Sequence, residues 1–290
     1  MNAYKRVIAC LFLKGGRVVQ SIGFNRYLPV GRADIAARFL DSWGIDEIML
    51  IDMDARREGR LIDLATVERV SSNIFVPLTV GGGVTSTADF RSLLSAGADK
   101  IAANRAFYDN RKLVRDAADM FGNQCVVASI DARRSGTTGT YEAMLDSART
   151  ATGVTPWHLA RDLEKAGAGE ILLNAVDRDG AGFGYDLDLG VRVAASTALP
   201  VIGLGGAGHP DHVRAALDVY AAAAAANFWH YTEHSVAIVK AFGIRRQAPV
   251  RRDSAITYAE FASLPGGRLA KLSAETLEER VFEMLGEDAI

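Results

Sequence analysis

Short apolar runs alternate along this chain with longer segments whose apolar residues fall three and four apart. The short runs cover residues 6–13, 47–53, 74–80, 100–103, 125–130, 170–176, 200–204 and 221–227, and their length and flanking turns predict strands. Between them, residues 33–43, 87–96 and 156–166 gather apolar side chains on one helical face, as helices packed on a sheet do. Crossover helices imply parallel strands, and about 250 residues is the usual size of the closed eight-stranded form. The expected fold is an α/β (β/α)₈ barrel, with an open doubly wound sheet as the structural alternative.

Sliding one half of the chain onto the other exposes a repeat. Asp54 falls on Asp177 and Asn104 on Asn227, both at an offset of 123. Between these anchors, Gly81-Gly82-Gly83 answers Gly205-Gly206, and Ala102-Ala103-Asn104 answers Ala225-Ala226-Asn227. Two diverged half-barrels account for such a pattern. The alternation stops near Gly243, which divides the chain into a barrel over 1–243 and an extension over 244–290. The extension opens with a linker rich in arginine and proline. Beyond it, Ser273 is placed to cap a helix carrying Leu277, Val281, Phe282 and Leu285 as one apolar stripe.

Composition narrows the function classes. The 290 residues carry a formal net charge of -2, without the concentrated basic face that nucleic-acid binding requires. No apolar run approaches the roughly 20 residues of a membrane span, and residues 1–6 do not resemble a signal peptide, so a cytoplasmic protein is expected. Cys10 and Cys125 stand alone in apolar runs, without metal-ligand spacing, and read as two buried thiols. Neither a metal nor a cofactor is expected.

The glycine turns carry the candidate chemistry. Glycines after a strand let backbone N–H groups approach an anion. Gly82 and Gly83 with Asn104 in one half, and Gly205 and Gly206 with Ala226 and Asn227 in the other, predict two phosphate pockets on the top face. Asp52, Asp131 and Asp177 end or follow strands on that face and are candidates for proton transfer or for helix capping. On the opposite rim, Arg6, Glu47, Lys100 and Glu170 each begin a strand, which predicts an alternating salt-bridged ring closing the floor or gating it.

These stretches together resemble a known family, the cyclase subunit of imidazole glycerol phosphate synthase, over residues 6–243. The resemblance rests on Lys5-Arg6-Val7-Ile8-Ala9-Cys10-Leu11, Thr79-Val80-Gly81-Gly82-Gly83, Gly97-Ala98-Asp99-Lys100, Val126-Val127-Ala128-Ser129-Ile130-Asp131-Ala132 and Asp177-Arg178-Asp179-Gly180. It implies a glutaminase subunit on the barrel floor, an ammonia gate formed by Arg6, Glu47, Lys100 and Glu170, and phosphate sites that include Asp179 and Gly180. It also implies two catalytic aspartates. Asp131 matches the second, but Phe12 stands where the first belongs, and Arg105 follows Asn104 where the family usually has Thr.

The pattern, including residues 225–235, is similar to cyclase-like paralogues found with a glutaminase and a sugar amidotransferase in surface-polysaccharide pathways. That resemblance implies a barrel that relays ammonia toward an N-acetyl sugar without cyclase activity. The alternative is a working cyclase of histidine biosynthesis. Phe12 separates the two, because a hydrocarbon ring transfers no proton.

Overall fold

The structure, a computed structural model, describes residues 4–135, 139–251 and 270; the helix expected from Ser273 lies outside them. The first half of the chain contributes strands β1 (Arg6–Lys14), β2 (Arg17–Ile22), β3 (Arg26–Gly31), β4 (Glu47–Asp52), β5 (Leu78–Gly81) and β6 (Lys100–Ala103). The second contributes β7 (Val126–Arg134), β8 (Tyr141–Leu145), β9 (Thr150–Ala151), β10 (Glu170–Ala175), β11 (Val201–Leu204) and β12 (Ala222–Ala225). The helices are α1 (Ala33–Ser42), α2 (Leu64–Ser71), α3 (Thr87–Ser95), α4 (Arg105–Asp109), α5 (Arg111–Phe121), α6 (Pro156–Ala166), α7 (Leu187–Ala194), α8 (Pro210–Val219) and α9 (Ser235–Arg245).

Eight of these strands pair in parallel in the order β1, β4, β5, β6, β7, β10, β11, β12, and β12 returns to β1. The sheet is therefore a closed barrel, with the helices around it. All eight expected strands are present, although several begin or end a few residues from the expected positions. The run at 74–80 enters the sheet only at Leu78, because Pro77 has no N–H to donate to a neighbour. The run at 125–130 extends to Arg134, while Cys125 lies in a short 3₁₀ turn and is only partly buried. Cys10, in contrast, is enclosed by the barrel.

Alternation along each strand divides the apolar residues between two cores. Ile8, Cys10, Met49, Ala102, Val127, Leu172, Ile202, Leu204, Ala222 and Ala224 fill the barrel interior. The opposite faces pack beneath the helices in a larger cluster that includes Val7, Leu50, Val80, Phe90 and Leu173. Helix starts are fixed by side chains that accept from orphan backbone N–H groups, as Asp63 does from Thr66 and Asp186 from Leu189.

The last helix among the described residues closes the structure onto its beginning. Helix α9 runs through Gly243 to Arg245, and farther on Val250 is buried and bridges to Lys5. On its inner face, Lys240 donates to Asp46 at 2.7 Å, and both side chains are 4% exposed. The other Asp46 oxygen accepts from the Val7 N–H at 2.7 Å. Trp229, just before α9, donates its indole N–H to the Ile8 carbonyl at 3.2 Å. Among the described residues, no helix is long and apolar enough to cross a membrane.

Candidate functional site at the two ends of the barrel

The strand starts bring Arg6, Glu47, Lys100 and Glu170 together on the barrel floor. Glu47 accepts from Arg6 at 2.6 Å and from Lys100 at 3.0 Å. Glu170 accepts from Lys100 at 3.0 Å and from the other arm of the Arg6 guanidinium. The result is a closed ring of alternating charge. Glu47 gains a further donor in the Thr79 hydroxyl at 2.8 Å. The carboxylates are 1% and 9% exposed and the cations 23% and 19%, so the ring turns its positive members toward the outside. Above it lies the apolar interior.

At the opposite end, the βα loops enclose a cavity of about 370 Å³. Phe12, Ile51, Ala102, Leu172 and Leu204 form its apolar floor, with Asp131, Ser129 and Asn174 beside them. Lys14, Arg56, Arg57, Arg105 and Arg149 line the rim, against the carboxylates of Asp52, Asp54 and Asp146. Gly82 and Gly83 are in this wall with φ of 127° and 74°, conformations that side chains disfavour. A Cβ on Gly82 would also come within 2.8 Å of Asp52.

Among the three strand-end aspartates, only Asp131 turns its carboxyl to the cavity floor. Asp52 instead accepts from the N–H groups of Asp54 and Ala55 and from Arg60 at 2.6 Å, which staples the loop after β4. Asp177 lies outside the cavity and accepts from the Arg134 N–H at 2.6 Å. Burial pushes Asp131 up to about 6, a hydrogen bond from the Asn174 amide at 3.1 Å pulls the other way, and Asp179 adds to the rise. An unfolded aspartate titrates near 3.9. Between these values the unfolded chain has lost its proton while the folded chain keeps it, so stability falls as pH rises from about 4 to about 6. Asp131→Asn is expected to remove this part of the slope and to raise stability at neutral pH. Urea midpoints for both proteins across that range check it; parallel pH profiles would refute it.

Two antiparallel hairpins rise over the cavity. The β2–β3 hairpin extends from β1, and the β8–β9 hairpin from β7. Phe24, at the tip of the first, packs against Met144, Ala148 and Val176, joining it to the second. Each of the two asparagines reaches one of them, Asn104 while also donating to the Ser129 carbonyl at 3.1 Å. The Asn227 amide donates to the Ser21 carbonyl at 2.6 Å, and the Asn104 amide to the Met144 carbonyl at 3.4 Å. Ser21 and Met144 are separated by the same offset of 123 as the asparagines themselves.

The remaining predicted residues gather in a second recess. Gly205, Gly206, Asp179, Gly180, Ala226 and Asn227 enclose about 20 Å³ beside Phe12. The Asp179 carboxylate there accepts from the Ser21 hydroxyl at 2.7 Å and the Phe24 N–H at 2.9 Å. Burial raises its pKa above the usual range, against the pull of those bonds.

Sequence reading did not single out Asn174, which holds the Asp131 carboxyl, or Leu204, Tyr27, Asp146 and Arg149. The signal for Asn174 was present: it follows Glu170 and Leu172 at strand period two, on the same interior face. Among the described residues, no group of His, Cys, Asp and Glu is arranged to hold a metal ion. Residues 6–235 match the model of a family described as histidine biosynthesis protein.

Proposed function

Because the chain belongs to the histidine biosynthesis protein family, we propose that it is the barrel subunit of an ammonia-relay assembly. A glutaminase docks on the floor, ammonia passes the ring of Arg6, Glu47, Lys100 and Glu170, and the top face delivers it to a sugar amidotransferase. The product class is an acetamidino sugar for surface polysaccharide. The carrying observation is the conjunction of a complete charged ring with Phe12 on the floor of the upper cavity.

The chemistry of each part supports this reading. Paired charges and an apolar interior disfavour ions, whereas neutral ammonia carries no charge to desolvate. Lys100 is suited to be the moving member, since an ammonium on a flexible stem swings more readily than the guanidinium that bridges both glutamates. Phe12 supplies no proton transfer, a contribution typically worth about 10²–10⁴-fold.

The test is incubation of purified protein with ammonium salt and the aminocarboxamide ribonucleotide precursor of histidine synthesis. No turnover is expected. Phe12→Asp alone is expected to remain far below an authentic cyclase, because the new carboxyl would be desolvated beside Ile51, Leu172 and Leu204, and Arg105 is unchanged. A single mutant equal to an authentic cyclase would overturn that expectation. One observation favours the histidine cyclase as a second reading: Asp131 titrates near 6, close to the range a general acid or base needs. Turnover by the unaltered protein would establish it.

A further inference from the structure

The two glycine pockets, related by the internal repeat, are not equal in this chain. The first opens into a cavity of about 370 Å³, whereas the second encloses about 20 Å³, close to the space one water needs. The polar side chains of the small pocket are also taken up by the β2–β3 hairpin. Ser21 donates its N–H to Asn227 at 3.0 Å and accepts from the same side chain at 2.6 Å, using both ends of the amide that would face a ligand. The Ser21 hydroxyl and the Phe24 N–H bind the Asp179 carboxylate, and the Gly23 N–H donates to the Asp179 carbonyl at 3.1 Å. Five hydrogen bonds therefore hold this hairpin over the second pocket, and the group they enclose is itself an acid.

In the first pocket the Asn104 amide is likewise engaged, by the Ser129 and Met144 carbonyls, but the wall carries cations. The Arg105 guanidinium uses Nε on Asp109 at 2.9 Å and Nη1 on Asp146 at 2.5 Å, which leaves Nη2 without a partner among the described residues. Arg149, on the same cavity wall, forms no ion pair among the described residues. Gly82 and Gly83 bare the backbone opposite these cations. The way from there toward Phe12 and Leu204 is uncharged except at Asp131.

We propose that the top-face site takes a ligand with a single phosphate-type anion, seated between Gly82–Gly83 and Arg105, because the second glycine pocket is far smaller and the Asn227 and Asp179 side chains that line it are already bonded to the β2–β3 hairpin. The ligand class is an elongated molecule with one anionic end at the rim and an uncharged end over Phe12, in contrast to a molecule with a phosphate at each end. This deepens the reading above and rests on the cavity as the acceptor-side site; passage of ammonia through the floor does not enter.

The experiment is calorimetric titration of the full chain, without a glutaminase, by inorganic phosphate and then by a hexose monophosphate and the matching bisphosphate. One equivalent of phosphate per chain is expected, and the bisphosphate should bind no tighter than the monophosphate. Arg105→Ala should weaken binding about tenfold, the usual scale for losing one charged hydrogen-bond donor. Ala207→Asp, which puts a second carboxylate into the small pocket, should leave phosphate binding unchanged. Two equivalents, a bisphosphate about a hundredfold tighter, lost binding in Ala207→Asp, unaltered binding in Arg105→Ala, or no saturable binding would each overturn the proposal. A failed ammonia relay in the coupled assay would leave these binding results standing, so the two readings fail separately.

Discussion

Lys240→Ala is expected to lower the unfolding free energy by about 3–5 kcal/mol, the range for removing one partner of a buried ion pair. Among the described residues, Asp46 would retain only the Val7 N–H for a carboxylate that is 4% exposed. Its position makes the loss more than local. Asp46 directly precedes Glu47, whose carboxylate takes three donors in the floor ring, and Lys240 reaches it from the last helix of the barrel. Losing the clasp should therefore loosen barrel closure and the ring together. Urea unfolding midpoints at neutral pH give the measurement. The neutral pair Asp46→Asn with Lys240→Met should recover much of the loss, since an uncharged replacement of similar volume spares the desolvation of both charges. A loss below about 1 kcal/mol for Lys240→Ala, as at an exposed pair, would show that the clasp does not bear on closure.

The barrel was legible because its strands follow a strong pattern. Each βα unit pairs a short apolar run with a glycine turn or a capped helix, and both halves repeat this at nearly constant offset, so that Glu47 maps onto Glu170 and Gly82 onto Gly205. The ring was legible for a related reason. Four charged residues stood at the starts of otherwise apolar strands, where only mutual pairing makes burial tolerable.

The hairpins were not legible. Strand β3 contains Pro29 and exposes Leu28 and Val30, so it lacks the alternation of a half-buried strand. At the second tip, Asp146, Ser147 and Ala148 adopt positive φ without glycine, which removes the usual turn signal, and at the first Gly23 is followed by Phe24, also at positive φ. Without the hairpins, Asn104 and Asn227 read as ligand-facing amides. In the fold both reach hairpin carbonyls, and only the pocket beside Asn104 remains open. Side chains that act across loops distant in sequence leave no local pattern, as with Arg105 and Asp146, 2.5 Å apart on separate βα loops.

The relay itself is tested most directly at Lys100. With its ammonium gone, Arg6 still bridges Glu47 and Glu170, and Thr79 still donates to Glu47, so the floor keeps most of its pairing and the protein should remain folded. The lost contacts are the bonds to the two Glu47 oxygens at 3.0 and 3.2 Å and the one to Glu170 at 3.0 Å, which close the other side of the ring. Lys100→Ala is to be assayed with the glutaminase and the sugar amidotransferase, measuring the ratio of glutamate formed to amidinated sugar formed, with unfolding midpoints recorded beside it. The ratio is predicted to rise severalfold above the near-parity of the intact assembly, glutamine hydrolysis continuing while ammonia escapes to solvent. An unchanged ratio in a well-folded Lys100→Ala protein would contradict the relay and leave the ring with a structural role in closing the barrel floor.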